Sequence, residues 1–131
     1  MEKSIIIVED DPFSQDFYKF IFRKAGISHQ IIEDGDLLIS TLRTERIGLI
    51  IMDINLKNTY LNGEKTDGVR LSKLIKEDAD LRTIPVILVT AYSPNSSENK
   101  FLEESHAEDY ITKPILDFNA LISKVNSYIM N

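Results

Sequence analysis

At 131 residues, with an apolar share of 43%, the chain has the size of one domain with a core of its own. A net charge of −6 argues against nucleic-acid binding, which needs a basic face, and the absence of cysteine excludes disulfides and thiolate-held metals. The longest apolar run, Ile47 to Met52, is far short of the roughly 20 residues a membrane span requires, and Met1-Glu2-Lys3-Ser4 leads into too short an apolar stretch for a signal peptide. These features predict a cytoplasmic protein.

The chain opens on an apolar run, Ile5-Ile6-Ile7-Val8, that does not alternate with polar residues. Such runs suit strands buried on both faces. Asp11 then precedes Pro12, the pattern of a helix cap followed by proline in the first turn. Phe13, Phe17, Phe20 and Ile21 recur at helical spacing, and Gly26 offers a stop. A weaker strand is expected at His29 to Glu33, and a second helix is marked by Leu37, Leu38 and Leu42. The third strand, Leu49-Ile50-Ile51-Met52, is again continuously apolar and ends at Asp53.

Asn55 to Thr66 forms a polar connection with an Asn62-Gly63 turn signal. It is longer than the 2–6 residues or so usual in strand–helix units. Val69, Leu71, Leu74 and Ile75 then mark a third helix, with Asp67 as its cap. Val86-Ile87-Leu88-Val89 is a fourth strand, followed by a weakly apolar helix over Ser96 to Ser105. A short strand at Asp109 to Ile111 precedes a last helical pattern through Ile115, Phe118, Ile122, Val125 and Ile129. Five strand-then-helix units predict a parallel sheet with right-handed crossovers and helices on both faces. The expected organisation is one domain over 1–131 with no output domain.

In such sheets ligands bind at the carboxyl ends of the strands, where strand order reverses. The first strand runs straight into Glu9-Asp10-Asp11 and the third into Asp53. If these strands are neighbours, their carboxylates crowd one crevice and resist ionisation together. A hard divalent cation relieves that crowding, because Mg²⁺ takes one or two carboxylates plus phosphate oxygens. Asp11 is set apart from this group as a helix cap. At the end of the fourth strand, Thr90-Ala91 places a hydroxyl that can bond a phosphoryl oxygen. After the fifth, Thr112-Lys113-Pro114 supplies a compact positive charge, and the Lys113–Pro114 bond is a candidate cis peptide. Each of these residues alone reads more simply as solvated. As a set at one sheet edge they do not.

With these residues in view, the chain resembles the receiver domain of two-component response regulators from Ser4 to about Met130. The resemblance is carried by Ile-Ile-Ile-Val-Glu9-Asp10-Asp11-Pro12, Leu-Ile-Ile-Met-Asp53-Ile-Asn55, Val-Ile-Leu-Val-Thr90-Ala91 and Asp-Tyr110-Ile-Thr-Lys113-Pro114. It implies a flavodoxin-like (βα)5 doubly wound parallel sheet with strand order 2-1-3-4-5. It also implies that Asp53 is the phosphoacceptor, with Glu9, Asp10, Asp53 and the Asn55 carbonyl holding Mg²⁺ or Mn²⁺. Thr90 and Lys113 would meet the phosphoryl group, and Thr90 and Tyr110 would form the switch. Tyr92 falls where the family tunes dephosphorylation.

The implied partners are a sensor histidine kinase or histidine phosphotransfer protein and a downstream protein target. A phosphorylation-dependent homodimer is a further candidate, while nucleic acid and membrane are not expected. The chain would catalyse only its own phosphorylation and dephosphorylation. Two other functions remain in contention. An aspartate-nucleophile phosphatase would place a second Asp two residues beyond the nucleophile, where this chain has Asn55. The same fold could also serve as a non-phosphorylated interaction module.

The chain departs from the family in the connection after Asp53. The usual Asp-Gly pair is displaced to Asp67-Gly68 and the usual proline is missing, leaving Lys57 to Lys65 as an added segment. This segment is read either as a functional cover or partner surface, or as a flexible loop. His29 and His106 lack the context of a phosphodonor, and the charges around Glu98 to Glu108 read as a solvated helix face.

Overall fold

The computed structural model describes residues 3–91 and 100–130. Five parallel strands form one sheet: β1 (Ser4–Val8), β2 (His29–Ile32), β3 (Ile47–Asp53), β6 (Val86–Thr90) and β7 (Asp109–Thr112). Two further strands, β4 (Tyr60–Leu61) and β5 (Glu64–Lys65), pair antiparallel outside it. The sheet order is β2-β1-β3-β6-β7, which is 2-1-3-4-5 once the hairpin is set aside. This is the doubly wound flavodoxin-like arrangement, with its topological switch point between β1 and β3.

The continuous apolar runs are explained by burial on both faces. Along β1 and β3, odd and even residues feed opposite cores. Ile6, Val8, Ile50, Met52 and Leu88 face α2 (Gly35–Thr44) and α3 (Gly68–Glu77), and Phe101 and Leu102 of α4 (Lys100–Ser105) pack on the same side. Ile5, Ile7, Leu49, Ile51 and Ile87 face α1 (Pro12–Lys24) and α5 (Phe118–Ile129). Each of these fully buried side chains contributes about 1.5–3 kcal/mol relative to exposure.

Four of the five helices among the described residues begin at an aspartate whose carboxylate accepts a backbone N–H three residues on. Asp11 takes Ser14 N at 2.9 Å, Asp34 takes Leu37 N at 3.1 Å, Asp67 takes Arg70 N at 2.9 Å and Asp117 takes Ala120 N at 2.9 Å. Each satisfies a donor the first helical turn would leave open. Part of the chain's acidity is therefore structural.

The helix faces differ from the expected stripes. On α1 the buried side chains are Tyr18, Ile21 and Phe22, while Phe13 is 86% and Phe20 63% exposed. Helix α5 starts at Phe118 under the Asp117 cap, so Ile115 precedes it, and Leu121 and Val125 make its buried contacts. Residues 96–99 of the expected fourth helix lie outside the described residues; α4 over Lys100–Ser105 is its remainder. Glu108 is not simply solvated: its carboxylate accepts Val86 N at 3.2 Å and pairs with Lys76, whose ammonium also bonds Ile84 O at 2.6 Å. Among the described residues, no helix is long and apolar enough to cross a membrane.

Candidate functional site at the carboxyl edge of the sheet

The strand ends bring Asp10, Asp53, Asn55 and Lys113 onto one cleft of about 640 Å³, together with Asp11, Lys57, Asn58 and Ala91. Asp53 is the last residue of β3, paired in register with Val89, and is only 4% exposed. Its Oδ1 accepts Asn55 N at 2.8 Å and its Oδ2 accepts Lys113 Nζ at 2.8 Å. Lys113 is brought there by its own backbone, whose N–H donates to Thr90 O at 2.7 Å, and the Lys113–Pro114 peptide is cis.

The edge of the sheet is continued on both sides of Asp53 by strand-like hydrogen bonds. Ile54 N donates to Val89 O at 3.1 Å, and Glu9 N to Ile32 O at 3.2 Å. Helix α3 then starts hard against this edge. A Cβ on Gly68 would lie 2.1 Å from Asp53 O, so only glycine fits the approach. That contact accounts for the Asp67-Gly68 pair: Asp67 caps the helix, and Gly68 lets its first turn touch the backbone of Asp53.

Glu9 is 1% exposed, and its Oε2 accepts Asp10 N at 3.0 Å and Asp11 N at 3.3 Å. Its Oε1 is buried without a protein partner. Burial, reinforced by the Asp53 carboxyl beside it, raises the Glu9 pKa to about 7. Burial also pushes the Tyr18 phenol up, with Glu9 and Asp53 adding to the effect. Asp11 behaves as a cap, its pKa lowered chiefly by the Ser14 N–H.

The donor set suits a small divalent cation. Glu9 has a buried oxygen without a partner, it is crowded against Asp53, and Asp10 and Asn55 line the same cleft. Among the described residues no three acidic or histidine side chains form a ready-made cage. Mg²⁺ rarely uses one, because it keeps several waters and needs only one or two carboxylates.

Thr90 ends β6 opposite Thr112, and Tyr110 is half-buried against the α2–α3 core. Tyr92 lies outside the described residues. Two residues at the site carried no sequence signal. Gln15 donates from Nε2 to Glu9 O at 2.7 Å, and buried Thr59 places its hydroxyl 3.1 Å from Asp10 Oδ2.

The added segment is a hairpin rather than an irregular loop. Asn62 and Gly63 form its turn, at φ 53° and 81°, as a two-residue hairpin requires. Its base, Lys57 and Asn58, walls the cleft. Its tip rests on the start of α2, where Asn62 N donates to Asp36 and Gly35 leaves room for Tyr60 O.

Comparison with known proteins gives the family. Residues 5–126 match the response regulator receiver domain, and the chain belongs to that family. The polar-differentiation response regulator DivK of Brucella anthropi is 31% identical over 129 residues, spanning 98% of both chains. The receiver domain of a signal transduction histidine kinase from Syntrophus aciditrophicus superposes with a TM-score of 0.82 at 32% identity, over 98% of this chain and 90% of that one. A receiver domain from a sensor histidine kinase of Pseudomonas aeruginosa, with a magnesium ion in its active-site cleft, gives a TM-score of 0.81 at 22% identity, covering both chains fully. The protein is a receiver domain of two-component signalling.

Proposed function

We propose that this chain accepts a phosphoryl group on Asp53 from a phosphohistidine on a sensor kinase or phosphotransfer protein. The observation that carries this reading is the setting of Asp53: a carboxylate 4% exposed, tied to Lys113 at 2.8 Å, at the floor of an acid-lined cleft. An Asp53 oxygen attacks phosphorus, the phosphorus–nitrogen bond of the donor breaks, and the histidine leaves with that electron pair. The product is an acyl phosphate.

Lys113 neutralises charge on the phosphoryl oxygens as it now does on Asp53. Asp10, Asp53, the Asn55 carbonyl and, through water, Glu9 would hold Mg²⁺ or Mn²⁺. When bound, the cation supplies charge neutralisation for the transferring group. Thr90 then meets the new dianion with its hydroxyl and Tyr110 turns inward, so a local charge change biases a surface recognised by a downstream protein. The same reading places the protein in the cytoplasm and gives it no turnover beyond its own phosphate. It is favoured over a phosphatase because Asn55, not an acid, stands two residues after Asp53.

Beryllofluoride with Mg²⁺, which together mimic an acyl phosphate, tests the switch. Amide resonances at Asn55, Ala91, Tyr110 and Lys113 should move together on addition. Resonances that stay fixed at saturating reagent overturn the reading.

A further inference from the structure

Three donors from the added segment converge on one oxygen of Asp10. Lys57 N lies 2.8 Å, Asn58 N 2.7 Å and Thr59 Oγ1 3.1 Å from Oδ2. The remaining oxygen, Oδ1, takes no protein donor among the described residues. Thr59 is fully buried, and its hydroxyl also lies 2.8 Å from Glu33 O at the end of β2. A hydroxyl has one proton and both neighbours are acceptors, so that proton is shared between the strand end and Asp10.

The anchor is not local to Asp10. Thr66 N donates to Thr59 O at 2.9 Å, closing the base of the hairpin. Asn62 N reaches both Asp36 carboxylate oxygens at 3.1 and 3.2 Å, fixing the tip on α2. A Cβ on Gly35 would stand 2.6 Å from Tyr60 O, so the hairpin is pressed onto the helix backbone. Lys57–Thr59 therefore cannot leave Asp10 without lifting the whole hairpin.

We propose that the added segment is a holder for Asp10, with Thr59 as its positioning residue. It saturates one carboxylate oxygen and leaves the other for a divalent cation. This rests on the reading that Asp10 is a cation ligand. Without these three donors the Asp10 side chain would sample several rotamers and would have to be ordered on binding, a cost the hairpin removes in advance. Hydrogen-bonded supports of ligating side chains typically change metal affinity about 10–100-fold when removed. The hairpin thus makes cation affinity a property of a segment far longer than the site itself.

The test is Mg²⁺ titration of the metal-free protein, followed by amide chemical shifts. Thr59→Val should weaken Mg²⁺ binding about tenfold or more, while Thr59→Ser keeps it near the unaltered protein. In an Asp10→Asn background, Thr59→Val should cost nothing further, because the ligand it positions is gone. A purely structural role would lower thermal stability without this dependence on Asp10. Equal Mg²⁺ affinity in Thr59→Val and the unaltered protein overturns the holder alone; an unaltered protein that ignores Mg²⁺ overturns the metal reading as well.

Amide exchange in the unaltered protein gives a second readout that needs no substitution. Lys57 and Asn58 should stay protected when Mg²⁺ saturates the site. Their release on saturation would show that cation and hairpin compete for Asp10, and would overturn the proposal.

Discussion

Lys113 Nζ and Asp53 Oδ2 lie 2.8 Å apart although 60 residues separate them in the chain. The ion pair spans the ends of β3 and β7, with β6 between them. Among the described residues Lys113 is the only cation bonded to Asp53, and both side chains line the same cleft. Removing it leaves the buried carboxylate beside Glu9 without its protein counter-charge. Lys113→Ala should therefore lower the rate of phosphorylation by acetyl phosphate on the order of 10²-fold, as for loss of a single preorganised charge-stabilising group. Intact-protein mass measured over time gives the rate, and an unchanged rate would remove Lys113 from the chemistry.

Glu9 gives a pH dependence with a definite sign. Its folded-state carboxyl titrates near 7 instead of 4.5 because burial, and then Asp53, disfavours the charged form. Its contribution to stability is complete below pH 4.5 and is lost as pH rises through about 7. Glu9→Gln imitates the neutral form and keeps an acceptor for the Asp10 and Asp11 amides. In metal-free protein it should stabilise by a few kcal/mol above pH 7, and the gain should vanish below pH 4.5. Urea unfolding across that range measures it. The same argument makes cation affinity rise with pH, since binding favours the ionised acid.

Gly68 links the site to α3 by close approach. An alanine there would put its Cβ 2.1 Å from Asp53 O, so backbone must shift. Gly68→Ala should cost about 1–3 kcal/mol in urea unfolding and should also slow phosphorylation, because the displaced backbone carries Asp53. Loss of stability with an unchanged rate would confine Gly68 to packing.

Lys76 tests a structural ion pair away from the site. Its side chain is 8% exposed, pairs with Glu108, and donates to the carbonyls of Arg82 and Ile84. Lys76→Ala leaves those acceptors open and should destabilise by about 1–3 kcal/mol, with phosphorylation unaffected. Calorimetry and the mass assay together check both halves.

The sheet was legible in the sequence for a physical reason: strands buried on both faces cannot alternate, so β1, β3 and β6 stand out as unbroken apolar runs. Acids following such runs mark the binding edge, which made Glu9, Asp10 and Asp53 readable, and Lys113 followed from its place after β7. The buried face of α1 was not legible. Phe13, Phe17, Tyr18, Phe20 and Phe22 crowd one helix, so periodicity alone offers two faces, and packing chose Tyr18, Ile21 and Phe22. The hairpin was hidden because its strands are two residues long and mostly exposed, although Asn62-Gly63 signalled its turn. Thr59 had no pattern at all: its role comes from where the hairpin base lands, next to Asp10.

The central claim is that Asp53 is the residue that takes phosphate. Incubating the chain with acetyl phosphate and Mg²⁺, then mapping peptides by mass spectrometry after borohydride trapping, addresses it directly. A single phosphoryl adduct at Asp53, lost in Asp53→Asn and when Mg²⁺ is chelated, is the predicted result. An unmodified protein, or an adduct that persists at full level in Asp53→Asn, would contradict the account.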